Sequence, residues 1–144
     1  FEKIKLIDLL KLNFDKFNDN KKLNIEYNNY NYETQILFKD EINYAFGNII
    51  QNAIIYSKTK VDIKIETNET ELIIKIMDDG NGFSKDVLDK LGEPYISKNK
   101  KGMGLGIFIA KNLIENLKGN IIFFNSVNNG AVVEIKLEKA ILLL

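Results

Sequence analysis

The spacing of apolar residues predicts three substantial helices and a shorter one. Between Asp40 and Ser57, apolar side chains recur every three or four positions along one broad helical face. An earlier helix can be capped by Asp8, and Ser84 can cap a short helix that ends at Leu91. The core-facing residues expected are Leu9, Leu12, Phe14 and Phe17 in the first helix and Ile42, Ala45, Phe46, Ile49, Ala53 and Tyr56 in the longer one.

A further helix is expected from Leu105 to Leu117, with Gly119 as its C-terminal cap. Alternating apolar and polar residues predict strands in the rest of the chain. The expected strands are Leu23 to Tyr27, Ile36 to Phe38, Val61 to Ile65, Leu72 to Met77, Asn120 to Phe124 and Ala131 to Leu137.

The order of these elements predicts an α+β fold. The strands at Val61 and Leu72 form one hairpin, and the last two form another through Asn128-Asn129-Gly130, a good source of positive backbone φ. Hairpins interspersed with helices indicate helices layered on one face of a mixed sheet. With 144 residues and no Pro/Gly/Ser-rich linker, a single domain spanning 1–144 is expected. Because the sequence opens at Phe1 without an initiator Met, we expect a piece of a longer protein.

The composition excludes several classes of function. Twenty basic and twenty acidic residues leave no net charge, so nothing general draws the domain to nucleic acid or an acidic membrane surface. All basic residues are Lys. The absence of Cys excludes disulfides and thiolate chemistry, and the absence of His excludes histidine acid–base catalysis and phosphohistidine on this chain. No apolar run approaches the roughly 20 residues of a membrane span.

Two segments carry candidate ligand groups. Asn48 and Asn52 are one turn apart on the long helix, where an amide oxygen suits Mg²⁺, although surface asparagines would look the same. Asp78-Asp79-Gly80-Asn81-Gly82 ends an apolar strand with a carboxylate and two glycines that let backbone approach a flat ligand, although a plain turn fits too. The glycines stand where an EF-hand loop needs ligands, which excludes that motif.

A third segment, Gly102-Met103-Gly104-Leu105-Gly106, opens the last helix, whose free amides and dipole can hold phosphate. Lys98, Lys100 and Lys101 lie upstream, in a polar stretch from Gly92 to Gly102 that is expected to be irregular. No Gly-Lys-Ser/Thr follows, so this is not a P-loop, and a Rossmann loop would need a preceding strand. Alone, a solvated glycine-rich loop fits equally well.

In sequence order these segments resemble the N box, G1 box and G2 box of the histidine kinase branch of the GHKL ATPases, a family that also contains DNA gyrase and MutL. Asn48 to Ala53 is similar to the N box, Asp78 to Gly82 to the G1 box and Gly102 to Gly106 to the G2 box. The resemblance runs from about Ile36 to Leu137. Leu91 to Lys98 takes the place of the F box and lid, and with Phe108 to Lys111 it is especially similar to redox-responsive kinases of the RegB/PrrB type.

The resemblance implies a Bergerat fold, a two-layer α/β sandwich, that binds Mg-ATP between the long helix and a mobile lid. The segment from Gly92 to Lys101 is expected to be mobile without nucleotide. Asn52 would coordinate Mg²⁺, Asp78 would bind the adenine amine, and Gly80 and Gly82 would let the base approach. The catalytic residues implied are Asn48 and Asn52. The nucleotide-binding residues implied are Asn48, Asn52, Tyr56, Asp78, Gly80, Gly82, Lys98, Gly102, Gly104, Leu105 and Gly106.

The implied activity is transfer of the γ-phosphoryl group of ATP to a histidine on a separate dimerisation domain of the same parent protein, with a response regulator downstream. A cytoplasmic location is expected, either free or as part of a membrane-anchored sensor, without direct membrane contact. A GHKL ATPase and a degenerate nucleotide-binding regulatory module are the alternatives.

The chain departs from the family pattern at two positions, Ile55 and Ala131, and at Asn48 it differs only from the ATPase relatives. Asn48 stands where the ATPase relatives have a Glu, and an amide cannot deprotonate water. Ile55 replaces a Lys that meets phosphate in many members. Ala131 replaces a hydroxyl residue that contacts adenine through water. Ile55 and the missing His are the features that favour the regulatory module.

Overall fold

The computed structural model describes residues 2–18, 20–28, 35–91, 104–128 and 130–142, with the backbone alone for Gly104, Leu105, Ile141 and Leu142. The helices are α1 (Leu6–Phe17), α2 (Asp40–Tyr56), α3 (Lys85–Leu91), α4 (Gly104–Asn116) and α5 (Lys139–Leu142). The strands are β1 (Lys3–Lys5), β2 (Lys22–Asn28), β3 (Gln35–Leu37), β4 (Lys60–Thr67), β5 (Glu71–Asp78), β6 (Asn120–Asn125) and β7 (Ala131–Glu138).

Five strands form the main sheet in the order β2-β4-β5-β7-β6. β2 runs parallel to β4, and every other neighbouring pair is antiparallel. β1 and β3 form a separate antiparallel pair. The mixed, mostly antiparallel sheet expected from the sequence is therefore confirmed.

The core lies between one face of this sheet and a layer of helices. α1 packs on α2, α2 packs on α4, and α2 and α4 contact β5 and β6 respectively. Every second residue of β4 and β5 is buried against the helices, and one register row consists of Ile65, Ile74, Ile135 and Ile121. On the other face Lys75 and Glu134 pair at 3.6 Å. Burial on one face alone explains the alternation and confirms the two-layer α/β sandwich.

Helix α1 differs from its prediction at two points. It begins at Leu6, so Asp8 is an acidic residue of the first turn and not its cap. Leu12 is 54% exposed, whereas Leu9 and Phe14 are buried. Leu12 falls outside the stripe because the helix packs mainly through a face formed by Leu6, Leu9, Leu10 and Phe14.

The end of α4 also differs by one residue. The left-handed position is taken by Lys118, with φ of 65°. Its N–H donates to the carbonyl of Glu115, and the N–H of Gly119 donates to the carbonyl of Ile114, a Schellman arrangement. A Cβ at Gly119 would be crowded, because it would lie 3.0 Å from the Lys136 carbonyl oxygen and 2.6 Å from Leu137 Cδ2.

The turn between β6 and β7 does not use the positive φ expected of it at Asn128 or Gly130, and Asn129 lies outside the described residues.

The short elements β1 and α5 were not predicted, since three or four residues carry too little periodicity to recognise. Along the described chain, no helix is long and apolar enough to cross a membrane.

Candidate nucleotide-binding site

A cavity of about 210 Å³ opens between the C-terminal half of α2, the end of β5 and the residues leading into α3. The cavity brings together four of the predicted site residues, Asn52, Tyr56, Asp78 and Gly82, which come from two distant segments of the chain. The position of Tyr56 on the helix predicted a place in the core. Instead its side chain is 45% exposed and lines this cavity. The remaining lining residues are Phe83, Ser84, Val87 and Ala131.

Asp78 occupies what would otherwise be a core position. It continues the buried alternation of Leu72, Ile74 and Ile76 on β5, and it is only 9% exposed. Its Oδ1 accepts the N–H of Gly80 at 2.8 Å and the N–H of Ala131 at 3.3 Å. Among the described residues Oδ2 has no donor. A buried carboxylate oxygen at the cavity is therefore available to a ligand donor.

Burial raises the pKa of Asp78, against the lowering effect of the hydrogen bonds from Gly80 and Ala131. Asp79 repels the charge and raises this pKa further, while Lys21 lowers it. The carboxylate thus costs the empty protein free energy. A ligand that donates a hydrogen bond to it would recover part of that cost.

Asp79 fixes the turn that follows α2. Its carboxylate accepts the N–H groups of Lys58 at 2.8 Å, Thr59 at 3.0 Å and Lys60 at 3.3 Å, together with the Thr59 hydroxyl. Burial alone would raise the pKa of Asp79, but these hydrogen bonds outweigh it and hold the pKa well below its usual range. The end of α2 and the end of β5, which form two sides of the cavity, are joined in this way.

Lys21 terminates α2 from outside the helix. Its Nζ donates to the carbonyl oxygens of Ser57 at 2.6 Å and Ile54 at 3.2 Å and to Ser57 Oγ at 3.0 Å. The last turn of α2 contains no basic residue of its own, so Lys21 provides the positive charge that a helix C-terminus favours.

Two glycines make the close packing around Asp78 possible. A Cβ at Gly80 would lie 2.0 Å from the Tyr56 carbonyl oxygen, and one at Gly130 would lie 1.9 Å from the Asp78 carbonyl oxygen. Gly80 is therefore needed for packing, in addition to the role predicted from the sequence, in which it lets the adenine base approach. Gly82 has φ of 84°, which a residue with a side chain adopts only with strain.

Asn48 lies against the first turn of α4. Its Nδ2 donates to the Tyr44 carbonyl at 3.0 Å. A Cβ at Gly106 would lie 2.9 Å from Asn48 Oδ1, so the glycine lets α4 approach α2. The N box and the G2 box are in contact here. Gly104, Leu105 and Gly106 form the first turn of α4, where backbone N–H groups lack partners within the helix.

Asn52 differs from Asn48 because its carboxamide makes no hydrogen bond to any described residue, and it lines the cavity. A free amide oxygen is a suitable single protein ligand for Mg²⁺, which keeps waters and phosphate oxygens as its other ligands. The described residues contain no cluster of three or more carboxylates that could form an all-protein metal site.

Two predicted site residues, Lys98 and Gly102, lie outside the described residues, as does the whole polar stretch from Gly92 to Gly102. The expectation of a mobile lid concerns that segment as well. Ile55, which stands where the family pattern predicted a Lys, is 61% exposed. Ala131 lines the cavity where a residue with a hydroxyl group was expected from the family pattern.

Sequence reasoning missed one wall of the cavity. Phe83, Ser84 and Val87 form this wall, and Ser84 Oγ accepts the Val87 N–H at 3.2 Å, which confirms Ser84 as the cap of α3. The carboxamide of Asn125 on β6 holds the backbone of Phe83. The position of Phe83 directly after Gly82 was the available signal for this wall, whereas nothing local pointed to Asn125.

Comparison with known proteins agrees with this geometry. Residues 39–141 match the family described as histidine kinase-, DNA gyrase B- and HSP90-like ATPase. The sensor histidine kinase RegB of Cereibacter sphaeroides is 31% identical over an alignment of 102 residues that covers 63% of this chain and 22% of that protein. Sporulation kinase A of Bacillus subtilis is 34% identical over 85 residues, which are 58% of this chain and 14% of that protein. The chain thus spans about a fifth of the length of these relatives, or less.

Solved structures share the fold. The catalytic domain of histidine kinase ThkA superimposes with a TM-score of 0.76 at 23% identity, covering 96% of this chain and 95% of that one. The mycobacterial sensor histidine kinase MprB gives 0.75 at 16% identity, covering 95% and 96%. The family match, the relatives and the buried acid beside the cavity agree. This chain belongs to the family of histidine kinase-, DNA gyrase B- and HSP90-like ATPases, as an ATP-binding catalytic domain of the histidine kinase type.

Proposed function

We propose that this domain binds Mg-ATP in the cavity beside Asp78 and transfers the γ-phosphoryl group to a histidine on a separate dimerisation domain of its parent protein. The observation that carries the proposal is the buried Asp78 carboxylate, whose Oδ2 has no donor among the described residues. A response regulator would receive the phosphoryl group next, as in two-component signalling. The proposal puts the domain in the cytoplasm, where ATP is supplied.

The base-binding step is the part that the cavity supports most directly. The exocyclic amine of adenine can donate to Asp78 Oδ2, whereas guanine would bring a carbonyl oxygen to the same point and be repelled. Tyr56, Phe83 and Val87 supply apolar surface on the sides of the cavity. The purine would thus be recognised by one charge-assisted hydrogen bond inside an apolar slot.

Phosphate and metal binding would fall to the junction of α2 and α4. Asn52 would hold Mg²⁺ through its free amide oxygen, and the amides of Gly104, Leu105 and Gly106 would meet phosphate oxygens at the start of α4. Mg²⁺, when bound with ATP, supplies neutralisation of the phosphate charge. Lys98 and Gly102 are proposed to complete this side, on the strength of the sequence resemblance.

In the transfer step the bond between the γ-phosphorus and the oxygen bridging to the β-phosphate breaks, and a bond forms between that phosphorus and an imidazole nitrogen of the acceptor. ADP leaves with the bridging oxygen. The domain contributes positioning and charge neutralisation, which dominate phosphoryl transfer. Asn48 disfavours the ATPase alternative, since its amide cannot take a proton from water.

The proposal is tested with labelled ATP and two preparations, this chain alone and this chain with the histidine-bearing helical hairpin of its parent protein. The chain alone should bind ATP by calorimetry, release phosphate slowly and form no phosphohistidine, because it contains no His. Addition of the hairpin should give labelled hairpin, and Asn52→Ala should reduce that transfer. Rapid phosphate release by the chain alone would support the ATPase, and binding without transfer would support the regulatory module.

A further inference from the structure

We propose that Asn125 is a positioning residue for the nucleotide, because its carboxamide clamps the backbone of Phe83 and so fixes the cavity wall that contains Phe83. This inference rests on the proposed binding of ATP in that cavity. Asn125 touches no ligand in this scheme. It acts through Phe83, which lines the cavity with Ser84 and Val87.

The clamp consists of two hydrogen bonds to one residue. The N–H of Phe83 donates to Asn125 Oδ1 at 2.7 Å, and Asn125 Nδ2 donates to the Phe83 carbonyl at 3.0 Å. Phe83 lies between β5 and α3, outside any helix or strand, so no ladder of backbone bonds fixes it. Among the described residues, the backbone of Phe83 has these bonds to Asn125 and no others. Its position therefore depends on the carboxamide.

Strand β6 supports the same wall through packing. The rings of Phe83 and Phe123 meet edge to face, with centroids 6.1 Å apart and planes at 82°. Phe123 precedes Asn125 by two residues, so both side chains project from the same side of β6. Helix α3 also contacts β6. The wall thus packs on β6 through Phe123, and Asn125 adds the hydrogen bonds that orient it.

The position of Asn125 links this wall to the acid that is proposed to read the base. Asn125 is paired with Ala131 across β6 and β7, and the Ala131 N–H donates to Asp78 Oδ1 at 3.3 Å. Ser126 N–H donates to the Gly130 carbonyl at 2.8 Å and closes the hairpin beside the pair. One end of one hairpin therefore holds both Asp78 and Phe83. The end of the β6–β7 hairpin therefore sets the distance between Asp78 and the cavity wall at Phe83.

Loss of the clamp should leave the fold intact and weaken binding, because the wall would occupy its binding-competent position for a smaller fraction of time. Asn125 lies at the exposed edge of the sheet, so water can replace its hydrogen bonds. The expected affinity loss in Asn125→Ala is about 3- to 10-fold, the order of one ordinary hydrogen bond. Because the wall faces the base, the fold loss should be the same for adenosine as for Mg-ATP.

The experiment is calorimetric titration of the 144-residue chain with Mg-ATP and with adenosine, in the parent, Asn125→Ala and the control Asn68→Ala. Asn68 is a matched control, because its Oδ1 accepts the N–H groups of Thr70 and Glu71 at the opposite end of β5, far from the cavity. Amide hydrogen exchange at Phe83, measured by NMR, should accelerate in Asn125→Ala alone.

The outcomes separate this inference from the proposed function. Absence of ATP binding by the parent chain would refute both. Parent-like affinity in Asn125→Ala, or equal losses in the two alanine variants, would overturn the positioning role while leaving ATP binding in place. Should Asn125→Ala fail to fold, Asn125→Asp decides the question, since it retains the acceptor for the Phe83 N–H and loses the donor to its carbonyl. An affinity in that variant within twofold of the parent would overturn the proposal.

Discussion

Replacing Asp78 by asparagine is expected to lower nucleotide affinity and to raise the stability of the empty domain at neutral pH. The asparagine carbonyl can still accept the N–H groups of Gly80 and Ala131, which both bond to Oδ1. The oxygen that is free in the parent becomes an NH₂ group directed at the adenine amine. Two donors then face each other and the charge-assisted bond is lost. The expected cost is about 1.5 to 3 kcal/mol, or roughly 10- to 150-fold in affinity.

The stability effect has the opposite sign because burial raises the pKa of Asp78 in the folded state. In the unfolded chain this carboxyl loses its proton near pH 4, whereas in the folded protein it loses its proton at a higher pH. The carboxylate therefore destabilises the fold at neutral pH, and this penalty is absent below the unfolded pKa. Asp78→Asn should melt at a higher temperature than the parent at pH 7, and the difference should shrink toward pH 4.

The assay is calorimetric titration with Mg-ATP alongside thermal unfolding without nucleotide at several pH values. Asp62→Asn is the charge-matched control, since Asp62 pairs with Lys60 on the polar face of the neighbouring strand β4. That control should bind ATP like the parent. Unchanged affinity in Asp78→Asn would remove Asp78 from the base site, and a lower melting temperature at pH 7 would refute the desolvation argument.

Three further substitutions test the supports of the site. Gly80→Ala should destabilise the domain by about 2 kcal/mol or more, because its Cβ would overlap the Tyr56 carbonyl, and chemical denaturation measures this. Asp79→Asn should destabilise the domain by about 1 to 2 kcal/mol at pH 7. This loss is smaller than that of a buried charge-assisted hydrogen bond, because Asp79 is partly exposed to solvent. Since the folded pKa of Asp79 is depressed, its contribution exists above the unfolded pKa and should fade as the pH falls below about 4. Lys118→Gly should stabilise the domain by about 1 kcal/mol by relieving the left-handed backbone, and no gain in melting temperature would contradict that account.

Much of the fold could be predicted from the sequence because its causes are local. The spacing of apolar residues in α2 and the alternation in β4 and β5 follow directly from the periods of a helix and a strand. The same alternation assigns Asp78 to the buried face, where a carboxylate is unusual. The order of three short motifs then indicated the family, since each motif alone has an ordinary structural explanation.

The contacts that complete the site join segments far apart in the chain, and only the tertiary structure decided them. Lys21 caps a helix that ends 35 residues later, and Asn125 holds Phe83 across 42 positions. No local periodicity records such pairs, because a side chain's partner depends on strand order and helix packing. The need for glycine at positions 80 and 130 could not be predicted either. It arises from a carbonyl oxygen that lies against each of them only once the strands and α2 have assembled. The sequence by itself determined the elements and the motifs, while non-local packing decided which groups face the cavity and what holds them there.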